Sequence, residues 1–524
     1  MAEAFKLTYA TMFNPPEELH TRFDQALAKV KANLGKEYGL IIGGVERFAA
    51  EKFEDHNPAD TDVVLGVFQK GTAEDAQAAL AAARKAFPVW SKMKWQDRVA
   101  LLRKAADLID ERIFELGVAM AMEVGKNRME SLGDVAETAD LIRYSCYQME
   151  KNDGYVVEMG RDPLVGYTAT NYSVLRPYGV WLVISPFNFP FALTGGPAGA
   201  ALATGNTIVI KPATDTPWIV RLLAECFRDA GLPDGAFNFV TGPGSTLGQA
   251  LIESPEVDGV TFTGSYDVGM GIFRDFAKGR YVRPTVLELG GKNPAIVSRH
   301  ADVERAAIGI VRSAFGLQGQ KCSACSRVYI EAPLYDTLVD RLVELTNKLV
   351  IGDPTDRAVY LGPVVNRNSY RDFQNFTEEL SQAGRFLTGG KILTDGEYAR
   401  GYFCSPTFVA DVPLDHRLWK YEMFLPITTV ARVESLDQAM QLANDVDYGL
   451  TAGFYGTPEE ARWFFENIQA GVTYANRPQG ATTGAWPGFQ PFGGWKGSGS
   501  SGKNAGGHYY LPLYLHEQIQ TLIA

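Results

Sequence analysis

The sequence predicts an α/β protein built on a parallel, doubly wound sheet. Three observations carry this. From residue 177 onward, short apolar runs alternate with helical stretches. Each run ends in a loop rich in glycine, proline and small polar residues. The chemically unusual residues stand just after the runs: Asn188, Lys211, Gly242, Ser265 and Glu288. Strands alternating with helices imply parallel pairing with helices on both faces. Ligands on such sheets sit beyond the carboxyl ends of the strands. At 524 residues the chain has room for two to four domains.

Taken in order, the first stretch to about residue 150 reads as helical. Thr72 can cap a helix with Asp75 three residues on, and Leu80, Ala83 and Phe87 follow at helical spacing until Pro88 stops the run. Val99, Leu102, Ala106, Ile109, Ile113 and Leu116 line one helical face, and Gly125 is the expected terminator. A third helix covers roughly 130–150. Residues 151–172 are turn-rich and β-prone, so they read as an excursion or hairpin.

The alternation then runs 180–184 and SPFNFP, 207–211 and PATDTP, 237–240 and TGPG, 259–263 and GSYDVG, 285–289 and GGKNP. A second α/β pattern starts near 290. It has a helix near 302–316, the segment GLQGQKCSACSR, a strand at 328–330 and a helix near 333–348. Residues 480–507 are glycine-rich, but Trp486, Phe489, Phe492 and Trp495 make them a shaped loop and not a linker. The tail HYYLPLYLHEQIQTLIA is expected to be an exposed strand.

Composition excludes several classes. With 50 Lys and Arg against 61 Asp and Glu, the net charge of −11 argues against bulk binding to nucleic acid or an anionic membrane. No apolar run reaches the roughly 18 residues of a membrane span. The first residues, MAEAFKLTYATMFNPPEELH, lack the apolar core of a secretion signal. Five cysteines, few and odd in number, suit a reducing compartment, so a cytoplasmic location is expected.

Chemistry concentrates around Cys322. A buried cysteine is usually a small hydrophobe. Here Gly316, Gly319, Ser323 and Ser326 make a permissive polar turn, and the adjacent Lys321 can favour the thiolate. Cys322 is therefore a candidate nucleophile. The Cys-Ser-Ala-Cys spacing to Cys325 also admits a zinc site or a redox pair, but further ligands are scattered and the context is not thioredoxin-like. No metal is expected. Glu288 is either a solvated strand end or, among apolar neighbours, a general base. Asn188 is either ordinary turn chemistry or an oxyanion donor. Lys211 at a strand exit suits phosphate or ribose hydroxyls, and Gly264-Ser265 with Gly269 can open a helix onto a pyrophosphate. The usual GxGxxG fingerprint is absent.

In chain order, SPFNFP, IVIKPATDTP, FTGSYDVG, LELGGKNP, GQKCSACSR, YEMFLP and PFGGWKGSG resemble the aldehyde dehydrogenase superfamily. LIIGGVERF, EVGKN, DVAETADLIRY and TGAWPGFQPFGG make the chain most similar to its 1-pyrroline-5-carboxylate (glutamate γ-semialdehyde) dehydrogenase branch. The resemblance implies a Rossmann-like cofactor domain (1–150 and 173–289) and a catalytic domain (290–480). It also implies an oligomerisation element (151–172 and 505–524) and a substrate anchor loop (481–504).

It implies that Cys322 is the nucleophile, that Asn188 and the Cys322 N–H hold the oxyanion, and that Glu288 activates water. The implied cofactor is NAD, with NADP possible, which the resemblance would have held by Ser185, Pro186, Phe187, Lys211, Thr214, Gly242, Gly264, Ser265, Gly269, Glu422 and Phe424. The substrate residues are Glu137, Phe189, Lys321, Ser323, Gly484, Ala485 and Phe492. The implied reaction oxidises an aldehyde to a carboxylate, either glutamate γ-semialdehyde in proline catabolism or another aldehyde. A homo-oligomer is implied as well.

Three departures stand out. Thr214 replaces a glutamate often found in NAD-preferring relatives, which removes the repulsion of a 2′-phosphate. Phe424-Leu425-Pro426 replaces Phe-Gly-Pro. The segment between Asn476 and Thr483 is about three residues longer than in semialdehyde dehydrogenases.

Overall fold

Two seven-stranded sheets organise the chain. They were obtained from a computed structural model that describes residues 15–163, 165–478 and 486–523. In the first, the strands lie in the order Thr285–Glu288, Gly259–Thr263, Val180–Ile184, Thr207–Lys211, Phe237–Phe239, Leu40–Ile42 and Val45–Arg47. The first five are parallel, as the alternation predicts. Their residues are nearly all buried, because helices cover both faces. The chain leaves Val180–Ile184 first to one side and then to the other, so strand order reverses between Val180–Ile184 and Gly259–Thr263.

The second sheet runs Arg385–Thr388, Thr407–Ala410, Ile427–Val433, Cys325–Glu331, Asn293–Val297, Thr451–Tyr455 and Val472–Ala475. It is parallel except at the Arg385–Thr388 edge.

The opening stretch corrects the helical expectation. Five strands lie between Lys36 and Gln69. Leu40–Ile42 and Val45–Arg47 form a hairpin turned by Gly43 and Gly44, at φ +61° and +81°. Two consecutive positive φ values make the tight turn that only such residues take without strain. The hairpin extends the first sheet through the Phe239–Ile41 pair.

Two helix expectations also change. Thr72 and Asp75 do form the capping box, but the helix Ala73–Lys92 continues through Pro88. Proline costs it one amide, while Trp90, buried and bonded through Nε1 to the Leu202 carbonyl, anchors the turn beyond. The long amphipathic pattern breaks at Arg112 into Trp95–Glu111 and Ile113–Val124. Gly125 closes the second at φ +83°. The third helix is Arg128–Lys151.

The excursion and the tail find each other. Leu515–Ile523 pairs antiparallel with Ala169–Pro177 over nine residues, and Val156–Glu158 completes a three-stranded sheet. Its middle strand runs to Pro177, five residues past the boundary expected at 172.

Candidate active site

The first sheet supplies surplus donors at its reversal point. Ser185, Pro186, Phe187 and Asn188 follow one of the two strands there, and Gly264 and Ser265 follow the other. Ser185 is buried and its Oγ has no partner. Ser265 precedes the twelve-residue helix Tyr266–Ala277 and makes no side-chain capping bond, which leaves the first-turn amides to a ligand. Gly269 lets that helix approach Leu289, whose side chain fills the space of any Cβ there.

Lys211 is buried, and its Nζ donates to the Pro212 carbonyl at 3.1 Å. Burial pushes its amine down to about 8. Thr214 is exposed on the following turn. Gly242, at φ +155°, passes so close to Gly71 that a Cβ would lie 3.0 Å from its carbonyl. An orphaned hydroxyl, a buried amine and free helix amides at one crevice fit an anionic dinucleotide.

Glu422 faces the crevice from the second sheet's side. Its Oε1 accepts the Gly291 N–H at 2.7 Å, and its carboxylate occupies the space a Cβ on Gly290 would need. Burial raises it to about 7, with the Gly291 amide and Lys292 pulling the other way. Phe424 takes a left-handed φ of +57° and sets its ring edge-on to Phe187, with centroids 5.7 Å apart. Leu425, in place of the expected glycine, is buried in the second sheet's core.

The loop that carries Cys322 is held from several directions. Leu317, Gln318 and Gly319 are three consecutive left-handed residues, at φ +47°, +53° and +66°. That conformation costs a non-glycine residue about 1–2 kcal/mol, so the surroundings must impose it. Glu130 accepts the Leu317 amide, and Gln318 donates to the Gly125 carbonyl. Gln320 accepts the Val365 amide. Asn293 Nδ2 donates to the carbonyls of Cys322 and Ala324 at 2.6 and 2.9 Å, while its Oδ1 accepts the Thr451 amide.

Lys321 corrects an expectation. It does not support the thiolate, because its Nζ turns away to Glu130 Oε1 at 2.6 Å. Burial instead pushes the Cys322 thiol up to about 12, aided by the charges of Glu422 and Glu288. The amides of Cys322 and Ser323 pull the other way. Cys325 points into the sheet, where its Sγ lies 3.6 Å from the Arg327 carbonyl. Among the described residues no group of three metal-ligating side chains gathers.

Cys322 and Glu288 line one cavity. Glu137, Phe189, Ser323 and Phe492 line it too, but Lys321 does not. Glu288 is buried, its Oε2 has no partner, and desolvation raises it well above the ordinary carboxylate range. Asn188 spends one Nδ2 hydrogen on the Gln320 carbonyl at 2.9 Å, two residues before Cys322. Its second hydrogen remains for an oxyanion. Phe189 lies under a lysine: Lys126 Nζ is 3.5 Å from its ring centroid. Lys126 pairs with Asp134 at 2.7 Å, both fully buried, and Asp134 also accepts the Ala192 amide. Gly484 and Ala485 lie outside the described residues.

Sequence reasoning overlooked Asn293, Glu130 and Gln320. Asn293 and Gln320 stand inside LELGGKNP and GQKCSACSR, but Glu130 carries no local signal. Each matters only through partners distant in sequence.

A family model described as "Aldehyde dehydrogenase family" matches residues 45–519. The chain belongs to the aldehyde dehydrogenase family. A 1-pyrroline-5-carboxylate dehydrogenase of Geobacillus sp. strain WCH70 is 39% identical over 509 residues, 95% of each chain. A Thermus 1-pyrroline-5-carboxylate dehydrogenase solved with bound NAD superposes with TM-score 0.93 at 35% identity, covering 100% of this chain and 99% of that one. Proline utilization A from Bdellovibrio bacteriovorus matches with TM-score 0.91 at 34% identity over 96% of this chain. The chain spans only 51% of that protein's length. Among the described residues no helix is long and apolar enough to cross a membrane.

Proposed function

We propose that this aldehyde dehydrogenase oxidises glutamate γ-semialdehyde to glutamate with NAD, as a step of proline catabolism. The observation that carries the reading is the shared cavity. It presents a thiol and a carboxylate whose Oε2 lacks a partner beside two further polar groups, Ser323 and Glu137. Ser323 suits the carboxylate of the amino-acid end and Glu137 its ammonium. The names of the Geobacillus and Thermus relatives support the same substrate.

The residues perform the reaction in two stages. Cys322 Sγ adds to the aldehyde carbon and forms a thiohemiacetal. The developing oxyanion is met by the remaining Nδ2 hydrogen of Asn188 and the Cys322 amide. Bound NAD supplies the two-electron acceptor, and Lys211, Ser185, Ser265 and Glu422 are the residues that would hold it. The carbon is then a thioester on Cys322. Glu288 removes a proton from water, which attacks that thioester and frees the thiol.

Oligomer formation and a cytoplasmic site belong to the same reading. Ile519, Leu522 and Ile523 are exposed on the C-terminal strand, where a partner subunit would cover them. All five cysteines are unpaired. A panel of aldehydes, each with NAD and with NADP, tests the reading. Glutamate γ-semialdehyde with NAD should give the highest kcat/KM. A preference for simple aliphatic or aromatic aldehydes overturns the substrate assignment. Light scattering that finds only monomers overturns the oligomer.

A further inference from the structure

Behind one wall of the cavity lies a buried ion pair that the reaction leaves unused. Lys126 stands in the short link between the helices Ile113–Val124 and Arg128–Lys151, and Asp134 stands on the second of them. Both side chains are fully buried, and Lys126 Nζ donates to Asp134 Oδ2 at 2.7 Å. The same ammonium lies 3.5 Å from the ring centroid of Phe189, which lines the cavity with Cys322 and Glu288. Asp134 Oδ1 accepts the Ala192 amide at 2.8 Å, three residues beyond that ring.

One carboxylate thus fixes both the lysine over the ring and the backbone that carries the ring. A cation over an aromatic face is attracted by the ring quadrupole, and more strongly where water is excluded. Lys126 does not line the cavity, so it holds the ring from behind. Burial lowers Lys126 and raises Asp134, while each opposes the shift in the other. Pairing is what keeps a cation in so dry a place. Lys321 is 5.9 Å from the same ring centroid, but Glu130 holds its amine. A well-packed apolar pair would support the fold as well as this ion pair does. What the cation adds is a direction, toward the face of Phe189.

We propose that Lys126, held by Asp134, is a positioning residue that sets the Phe189 ring and so determines which aldehyde chains the cavity admits. The inference rests on Phe189 being a wall of the aldehyde site. A fixed ring presents a flat apolar wall to a straight methylene chain and does not tilt aside for a branch. The favoured class is therefore aldehydes unbranched next to the carbonyl end, which includes glutamate γ-semialdehyde.

The experiment uses the full-length enzyme with NAD, the aldehyde the panel ranks first, and the isomers pentanal and 3-methylbutanal. Lys126→Met, uncharged and close in length, should raise KM for the first aldehyde about tenfold and leave kcat and KM for NAD near wild type. The ratio of kcat/KM for pentanal over 3-methylbutanal should fall about as much. In a Phe189→Leu background the same substitution should change neither quantity, because the lysine acts through the ring. If Lys126→Met does not fold, the double variant Lys126→Met with Asp134→Asn decides, since it removes both charges and keeps an acceptor for the Ala192 amide. A folded variant with wild-type KM and ratio overturns the proposal. So does an equal rise in both KM values, or an equal effect in both backgrounds. Phe189→Leu alone separates the two readings. If it leaves aldehyde kinetics unchanged, Phe189 is not the wall and that site assignment fails. If it alters them while the Lys126 variants are silent, only the Lys126 inference fails.

Discussion

The two large sheets build the cleft by opposite means. On the first sheet, the residues proposed to hold the cofactor follow strand ends at the reversal point, where any fold of this kind gathers loops. Few side-chain bonds are needed, and Ser185 Oγ has none. On the second sheet, Cys322 comes before the strand Cys325–Glu331, on a backbone that is locally unfavourable. It stays in place through Asn293, Glu130, Gln318 and Gln320. Binding is thus delegated to topology, while the reacting atom depends on specific side chains.

Variants probe that division in descending order of effect. Cys322→Ala should lower turnover by at least about 10⁴-fold with cofactor binding intact, read as NADH formation beside NAD titration. Equal turnover would refute the thiol mechanism. Asn188→Ala, which removes one oxyanion donor, should lower kcat about 10²–10³-fold with little change in KM for NAD. Asn293→Ala should lower kcat and melting temperature together, because it leaves two buried carbonyls unpaired, at a cost of about 1–3 kcal/mol. A variant with normal kcat would show that the loop does not need this side chain.

Lys211→Ala should raise KM for NAD about tenfold and spare kcat, as expected where topology does most of the holding. With its amine held down to about 8, wild-type KM for NAD should also rise above pH 8 as the charge is lost. A flat profile would remove Lys211 from the binding site.

The smallest effect is a stability slope on the first-sheet side. Glu123 is buried, accepts the amides of Trp218 and Ile219, and sits beside buried Asp55. Burial raises Glu123 to about 8. The folded form therefore keeps its proton where the unfolded chain has lost it. The stabilisation is complete below the unfolded value near 4.5 and is lost as pH rises through about 8. The melting temperature should fall over that window, and less so in Glu123→Gln. Parallel curves would refute the linkage.

The same division explains what could be read from the sequence. The parallel strands of the first sheet were legible because apolar runs and loop chemistry are local. So were Lys211, Ser265, Glu288 and Cys322, each inside a contiguous motif. The strands Lys36–Tyr38, Leu40–Ile42 and Val45–Arg47 were not, because three residues are too few to show a period. Lys321 was misread for a related reason. Adjacency to Cys322 in sequence does not set direction, and Glu130, 191 positions earlier, determines where its amine goes.

One feature of the first sheet bears on how the protein is made. Strand Thr285–Glu288 is the edge of that sheet, and the chain near Ser498 and Ser500 lies along it. The Leu289 amide donates to the Ser498 carbonyl, and the Ser500 amide to the Leu287 carbonyl. The Ser500 hydroxyl bonds the Leu287 amide from 213 residues away. At about 5–20 residues per second, a ribosome needs roughly 10–40 s to deliver that cover after the strand has emerged. During that interval the strand carrying Glu288 has an open edge, able to pair with another nascent chain.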